Sequence, residues 1–272
     1  MTQADSVWFH KSGAVGGPRM RLVCFPHAGG TPAFFRTWHR RLPADVEVLA
    51  VCYPARQHRL GEPPVDSMGV LADRIADALA PYADAVPLAF FGHSMGAGVA
   101  YEVARRLETR HDRGPIRLFA SAFGAPHRRR PVLPPTDDAA MLSELRLLGS
   151  AAMAALDTPA LADVVLPSLR ADLRLVCGYW RPRAEPLSCP LVGYAGDEDK
   201  EEAGPEAMRA WGELTTSRFE HRVFSGHHFY LERGEAELLA DISGRLTDDL
   251  RMRGALAAAH SRTTTPGGGS HE

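Results

Sequence analysis

A run of apolar residues that drives straight into glycine, serine and glycine constrains this chain more than any other feature. Pro87-Leu-Ala-Phe-Phe91 reads as a buried strand, Gly92-His-Ser-Met-Gly96 follows without a spacer, and a helical pattern opens at Ala97 and runs through Arg110. A strand that turns directly into a helix puts Ser94 at the apex of the turn with its hydroxyl exposed. The flanking glycines suit that turn because side chains there would collide as the helix packs back beside the strand. The turn also aims the Met95 amide at any oxygen held near Ser94. Alone, G-x-S-x-G is short enough to arise by chance; between a buried strand and a helix start it marks a nucleophile elbow.

The rest of the chain alternates in the same manner. Arg21–Pro26, Val46–Tyr53, Ile116–Phe123, Cys189–Ala195 and Phe219–Phe224 carry strand signals. Between and after them, Thr31–Leu42 reads as helical with Phe34, Phe35 and Trp38 on one side. Ser67–Tyr82 places Leu71, Ile75, Ala78 and Leu79 on one helical face, and Gly234–Arg253 is a final amphipathic helix. Strands alternating with helices predict an α/β fold, a mostly parallel sheet flanked by helices. From Pro126 to Pro186 the alternation stops. Helical stretches at Asp137–Leu148 and Leu161–Tyr179, punctuated by proline, occupy far more chain than one crossover needs. A helical lid inserted between two strands is the expectation, with Met141, Leu145, Met153 and Leu156 either lining a channel or packing on the sheet. The polar, glycine-rich stretch from Ser261 is expected to be a disordered tail, leaving one domain over residues 1–260.

Composition narrows the function classes. The 272 residues carry a net charge of −2, with 45% hydrophobic and 24% charged residues, the balance of an ordinary globular protein. Such a charge gives no general pull toward nucleic acid or anionic membrane. No apolar run approaches the ~20 residues that cross a bilayer, and Met-Thr-Gln-Ala-Asp-Ser does not read as a signal peptide. A cytoplasmic monomer is the default expectation. The 4 cysteines, Cys24, Cys52, Cys177 and Cys189, lack C-x-x-C spacing and are expected as free thiols, mostly buried. Of the 12 histidines, only His227 and His228 stand close together, and neighbours on an extended segment point to opposite faces. No metal and no cofactor are expected.

A serine hydroxyl needs a base to take its proton and an acid to orient that base. In α/β-hydrolases these follow in the order Ser, acid, His, each beyond the C-terminal end of a strand, and this chain supplies them in that order. After the strand ending at Ala195 comes Gly196-Asp-Glu-Asp-Lys200, and after the strand ending at Phe224 comes Ser225-Gly-His-His-Phe-Tyr230. Asp197, Glu198 and Asp199 all offer a carboxylate. Asp199 is preferred because the acid usually lies a short way beyond the strand end. Spacing does not separate His227 from His228. An oxyanion hole needs one amide from the residue after the nucleophile, Met95, and one from the first strand's loop. In Pro26-His-Ala-Gly-Gly30 that amide is placed at Ala28, with Gly29 the nearest rival.

Together these motifs resemble the type II thioesterases that accompany polyketide synthases and nonribosomal peptide synthetases. The resemblance spans roughly residues 19–250. It rests on Phe25-Pro-His-Ala-Gly-Gly30, Gly92-His-Ser-Met-Gly96, Ala125-Pro-His127 and Leu166-Pro-Ser-Leu-Arg-Ala-Asp172. Tyr53-Pro-Ala-Arg-Gln-His-Arg59 resembles the family's Pro-Gly-Arg-x-x-Arg turn, with Ala55 in place of the usual glycine. Aligned on Phe229-Tyr-Leu231, the resemblance implies Ser94 as nucleophile, Asp199 as acid and His228 as base. It also implies a substrate, an acyl or aminoacyl thioester on the phosphopantetheine arm of an acyl or peptidyl carrier protein, removed when stalled or misloaded. Two other activities use the same machinery: release of medium-chain acyl groups in fatty acid synthesis, and general carboxylesterase activity. Arg128-Arg-Arg130, Arg56 and Arg59 are either a docking patch for an acidic carrier or solvated loop and structural pairs.

Overall fold

Alternate residues of the strands part onto two faces, and each face has its own core. The computed structural model describes residues 7–14, 16–148, 158–199 and 203–263. Its strands are β1 (Phe9–Ser12), β2 (Met20–Phe25), β3 (Val46–Val51), β4 (Leu88–His93), β5 (Arg117–Ser121), β6 (Leu191–Gly196) and β7 (Phe219–Phe224). Val23, Phe25, Leu88, Phe90, Leu118 and Leu191 point to one core, which they share with α1 (Met68–Ala83) and α2 (Met95–His111). Leu22, Cys24, Ala89, Phe91, Phe119 and Val192 point to the other. The period of two along a pleated strand produces this division. It explains why the strands read as unbroken apolar runs: both faces of a parallel sheet are covered.

The strands form one sheet in the order β1-β3-β2-β4-β5-β6-β7, parallel throughout except for β1, which pairs antiparallel with β3 at the edge. The chain runs from β2 outward to β3 and then returns to the other side of β2 as β4. The carboxyl ends of β2 and β4 therefore diverge at a topological switch point, the position where open α/β sheets bind ligands. The loop after β2 and the elbow after β4 both lie there.

Several elements differ from the sequence expectation. β1 has no counterpart in the sequence expectation; it is a short, half-exposed edge strand without the apolar run that marks the inner strands. Thr31–Leu42 forms two short 3-10 turns, Pro32–Phe35 and Trp38–Arg40, not one helix. With three residues per turn, Phe35 and Trp38 fall on one side, their rings edge-on to each other at 4.8 Å and both edge-on to Phe91. The final helix, α7, spans Glu235–Thr263, so the chain is still helical past Ser261; the remaining tail, 264–272, is outside the described residues. A buried bidentate ion pair ties α7 to the sheet, with Arg117 Nε and Nη2 donating to Asp249 at 2.7 and 2.6 Å.

Between β5 and β6 lie α3 (Asp138–Leu148) and α4 (Pro159–Gly178), followed by α5 (Pro205–Arg209) after β6 and α6 (Tyr230–Arg233) ahead of α7. Arg170 on α4 pairs with Asp138 on α3. Met141 and Leu169 are buried together against Ala28, so this helical insertion rests on the loop after β2. The side chains of Leu145, Met153 and Leu156 are outside the described residues. All four cysteines are free, and Cys24, Cys52 and Cys189 are buried. Burial pushes the Cys189 thiol up to about 12, which keeps it protonated and inert. No described helix is long and apolar enough to cross a membrane.

Candidate active site

The elbow is built from a backbone that only small neighbours permit. Ser94 takes φ 53° and ψ −125°, a conformation rarely adopted by residues other than glycine. A Cβ at Gly92 would run into the Gly96 carbonyl, and one at Gly96 would run into the Phe25 carbonyl of β2. Both glycines are thus required for α2 to leave β4 at this angle. The Ser94 amide donates to the Ser121 carbonyl at 2.8 Å, anchoring the turn to the end of β5. Met95 opens α2, where the first amides have no acceptor within the helix.

Around Ser94 the structure brings together one carboxylate and one histidine from the candidates that spacing offered. His228 Nε2 lies 2.9 Å from Ser94 Oγ. His228 Nδ1 lies 3.0 and 3.2 Å from the two oxygens of Asp199. Because Nδ1 faces a carboxylate it carries the proton, which leaves Nε2 as the acceptor for the Ser94 hydroxyl. His228 and Asp199 are nearly buried, at 8% and 3% side-chain exposure. His227 points away, 69% exposed and paired with Glu198 at 3.0 Å. Asp197 accepts the Gly226 amide at 2.8 Å, while the Glu198 amide donates to the Gly226 carbonyl at 3.0 Å. Asp197 therefore joins the acid loop to the base loop. Gly196 is what lets the two loops cross, since a Cβ there would meet the Gly226 and His227 carbonyls.

Opposite the elbow, His27 to Gly30 form a β-turn. The Gly30 amide donates to the His27 carbonyl at 2.9 Å, and Gly29 occupies the third position with φ +72°. The Gly29 amide is taken by Asp172 Oδ2 at 2.7 Å. Of the turn's two central amides, Gly29 is thus taken and Ala28 has no acceptor among the described residues.

Two further histidines lie beneath the triad. His27 is edge-on to Phe34 and Phe229, and His93 packs 5.3 Å from the His228 ring. His93 Nδ1 meets Ser121 Oγ at 2.9 Å, and that hydroxyl meets Tyr230 at 2.7 Å. Burial, reinforced by the neighbouring His228, pushes His27 down to about 3 and holds His93 well below the usual imidazole range. Both rings are neutral at pH 7, so neither places a positive charge beside His228.

The docking reading of Arg56 and Arg59 is overturned, because both are buried. Arg59 forms two bonds to Glu62, at 2.8 and 2.6 Å, and stacks over Trp8. Arg56 is paired with Asp172 on α4, at 2.9 Å. In the other basic run, Arg128 is paired with Glu213 at 2.8 Å and Arg129 lies over Phe123 at 4.2 Å. Sequence reasoning missed the joining of Arg56 and Asp172. Each lies in a motif quoted above, but they stand 116 residues apart and nothing in the spacing connects them.

A hydrogen-bonded Ser-His-Asp set at the switch point of a mostly parallel sheet is the arrangement of the α/β-hydrolase class. The thioesterase domain family matches residues 20–246, and the chain belongs to that family. Thioesterase PikA5 of Streptomyces venezuelae is 38% identical over 257 residues, which covers 92% of this chain and 88% of the relative. Among solved structures, the RedJ thioesterase from the prodiginine biosynthetic pathway in Streptomyces coelicolor is 41% identical, with a TM-score of 0.76 over 84% of this chain and 85% of that one. The type II thioesterase BorB from the borrelidin biosynthetic cluster is 33% identical, with a TM-score of 0.76 over 90% of this chain and 98% of that one. The protein is a thioester hydrolase.

Proposed function

We propose that the protein clears acyl or aminoacyl groups from the phosphopantetheine arm of carrier proteins in polyketide or nonribosomal peptide biosynthesis, with Ser94, His228 and Asp199 as its catalytic triad. The observation that carries the mechanism is the continuous hydrogen-bonded line from Asp199 through His228 to Ser94, at 3.0 and 2.9 Å. Ser94 Oγ attacks the thioester carbonyl while His228 Nε2 takes its proton, and Asp199 holds the imidazole in that tautomer and stabilises its charge. The amides of Met95 and Ala28 stabilise the oxygen that becomes negative. Collapse of the tetrahedral intermediate expels the phosphopantetheine thiolate, which His228 reprotonates, leaving the acyl group on Ser94. Water, deprotonated by the same His228, then attacks the acyl-serine and regenerates the enzyme. No step calls for a cofactor or metal. The three side chains come from one chain, so a monomer is complete for catalysis.

The insertion carrying α3 and α4 is read as a lid because it rests on the loop that supplies Ala28. The pathway assignment rests on relatives named for biosynthetic pathways, one of them, YbtT, for the yersiniabactin NRPS/PKS pathway. The test compares hydrolysis of acetyl- and hexanoyl-carrier protein with that of soluble oxygen esters of the same acyl groups. A higher kcat/KM on the carriers supports this reading. Turnover of the soluble esters with none on any carrier would move the assignment to a carboxylesterase.

A further inference from the structure

Whether Ala28 can serve an oxyanion depends on what holds its turn, and that support comes largely from outside the loop. Asp172 on α4 and Arg56 after β3 form a buried pair, at 4% and 7% side-chain exposure, bonded at 2.9 and 3.1 Å. Asp172 Oδ2 also accepts the Gly29 amide at 2.7 Å. Arg56 Nη1 also donates to the Gly30 carbonyl at 3.0 Å. The Tyr53 hydroxyl donates to the Pro26 carbonyl at 3.1 Å, and its ring lies under the Arg56 guanidinium at 5.1 Å. Each peptide group flanking the Ala28 amide is thus fixed by a buried side chain. Burial opposes the Arg56 charge, but the Asp172 carboxylate outweighs it and holds the guanidinium above its ordinary pKa.

Resting on the proposed mechanism, we infer that Asp172 and Arg56 are positioning residues that seat the Ala28 amide for the oxyanion and make that seating depend on the docking of α4. Asp172 is the one of the pair carried by the helical insertion. When α4 is docked, its carboxylate occupies the Gly29 amide and leaves the Ala28 amide as the donor facing substrate. When α4 withdraws, Gly29 loses its acceptor and Arg56 its counter-ion, and the turn is free to rotate its amides away. A salt bridge that only held the insertion to the body would not need to bond the backbone of the turn at Gly29 and Gly30 as well.

The test measures kcat and KM on an acyl-carrier protein, and separately the affinity of an alkylboronic acid, whose tetrahedral adduct with Ser94 places an oxygen in the same hole. Wild type, Asp172→Asn and Asp172→Ala are compared. Asp172→Ala is expected to lower kcat by about 10²-fold, the scale of one lost oxyanion donor, with KM unchanged and boronate affinity falling in parallel. Asp172→Asn keeps an acceptor for Gly29, so its loss should be smaller, roughly 10-fold on the same scale. It carries the test if the alanine variant fails to fold. Wild-type kcat and boronate affinity in the folded variants, with only Tm lowered, would overturn the inference. A raised KM at unchanged kcat would do the same. The boronate measurement keeps the two claims separate. Wild type that binds boronate but clears no carrier would contradict the proposed function, while the variants' boronate affinities would still decide the role of Asp172.

Discussion

Ala55 shows how a single substitution in a motif acquires a physical meaning. The sequence places alanine where the resembled family usually has glycine, and the structure puts that residue at φ +64°, buried and bonded to the Arg59 carbonyl at 3.1 Å. A left-handed alanine costs roughly 1–2 kcal/mol, and glycine gives part of that back through its freer unfolded chain. Ala55→Gly is therefore expected to raise stability modestly, by about 0.5–1 kcal/mol, read as a shift in urea midpoint; a lowered midpoint would show that the turn is not strained. At the base position, spacing left His227 and His228 equal, and only their neighbours distinguish them. His228→Ala should lower kcat by about 10³-fold or more, as loss of a general base does. His227→Ala removes an exposed pair with Glu198 and should leave kcat within about twofold. Equal losses in the two variants would contradict the placement of the base.

Among the elements, legibility followed hydrophobic periodicity. α1 and α2 appear within a residue or two of the expected spans, because long apolar stripes and a capping serine fix them. Ser67 accepts the Val70 amide at 3.4 Å at the start of α1. The aromatic cluster at Phe34, Phe35 and Trp38 read as one helix because spacings of three and four cannot distinguish two 3-10 turns from an α-helix over so few residues. β1 was invisible because an exposed edge strand needs no apolar pattern. Its register with β3, from Phe9 opposite Val51 to Ser12 opposite Val48, is set by tertiary pairing. The Arg117–Asp249 pair likewise joins β5 to α7 across 132 residues. Asp249→Ala strands a fully buried guanidinium and is expected to cost about 3–5 kcal/mol in chemical denaturation, where a loss below ~1 kcal/mol would mean that the charge is otherwise compensated.

For the molecule as a whole, two buried neutral histidines set a pH limit. The folded pKa of His27 is about 3 and that of His93 is also depressed, against 6.5 when unfolded. Below 6.5 the unfolded chain binds protons that the native state does not, so stability is fully present above 6.5 and falls as pH drops toward 3. Each histidine contributes a slope of up to about 1.4 kcal/mol per pH unit. Urea midpoints should therefore decline steadily from pH 6.5 to 4.5, and His27→Gln should flatten that decline; an unchanged slope would place the proton uptake elsewhere. The class of fold, the order of the triad and the elbow were legible because each is local to a strand end. What holds the catalytic turn was not, since the contacts among Tyr53, Arg56 and Asp172 depend on how distant elements pack.

In the proposed reaction Ser94 Oγ is the atom through which a carrier-bound thioester is cleaved. Intact-mass measurement of hexanoyl-carrier protein, incubated with wild type and with Ser94→Ala, tests it most directly. Loss of the hexanoyl mass from the carrier with wild type, and its retention with Ser94→Ala, is the predicted result. Equal release by both proteins would contradict the claim.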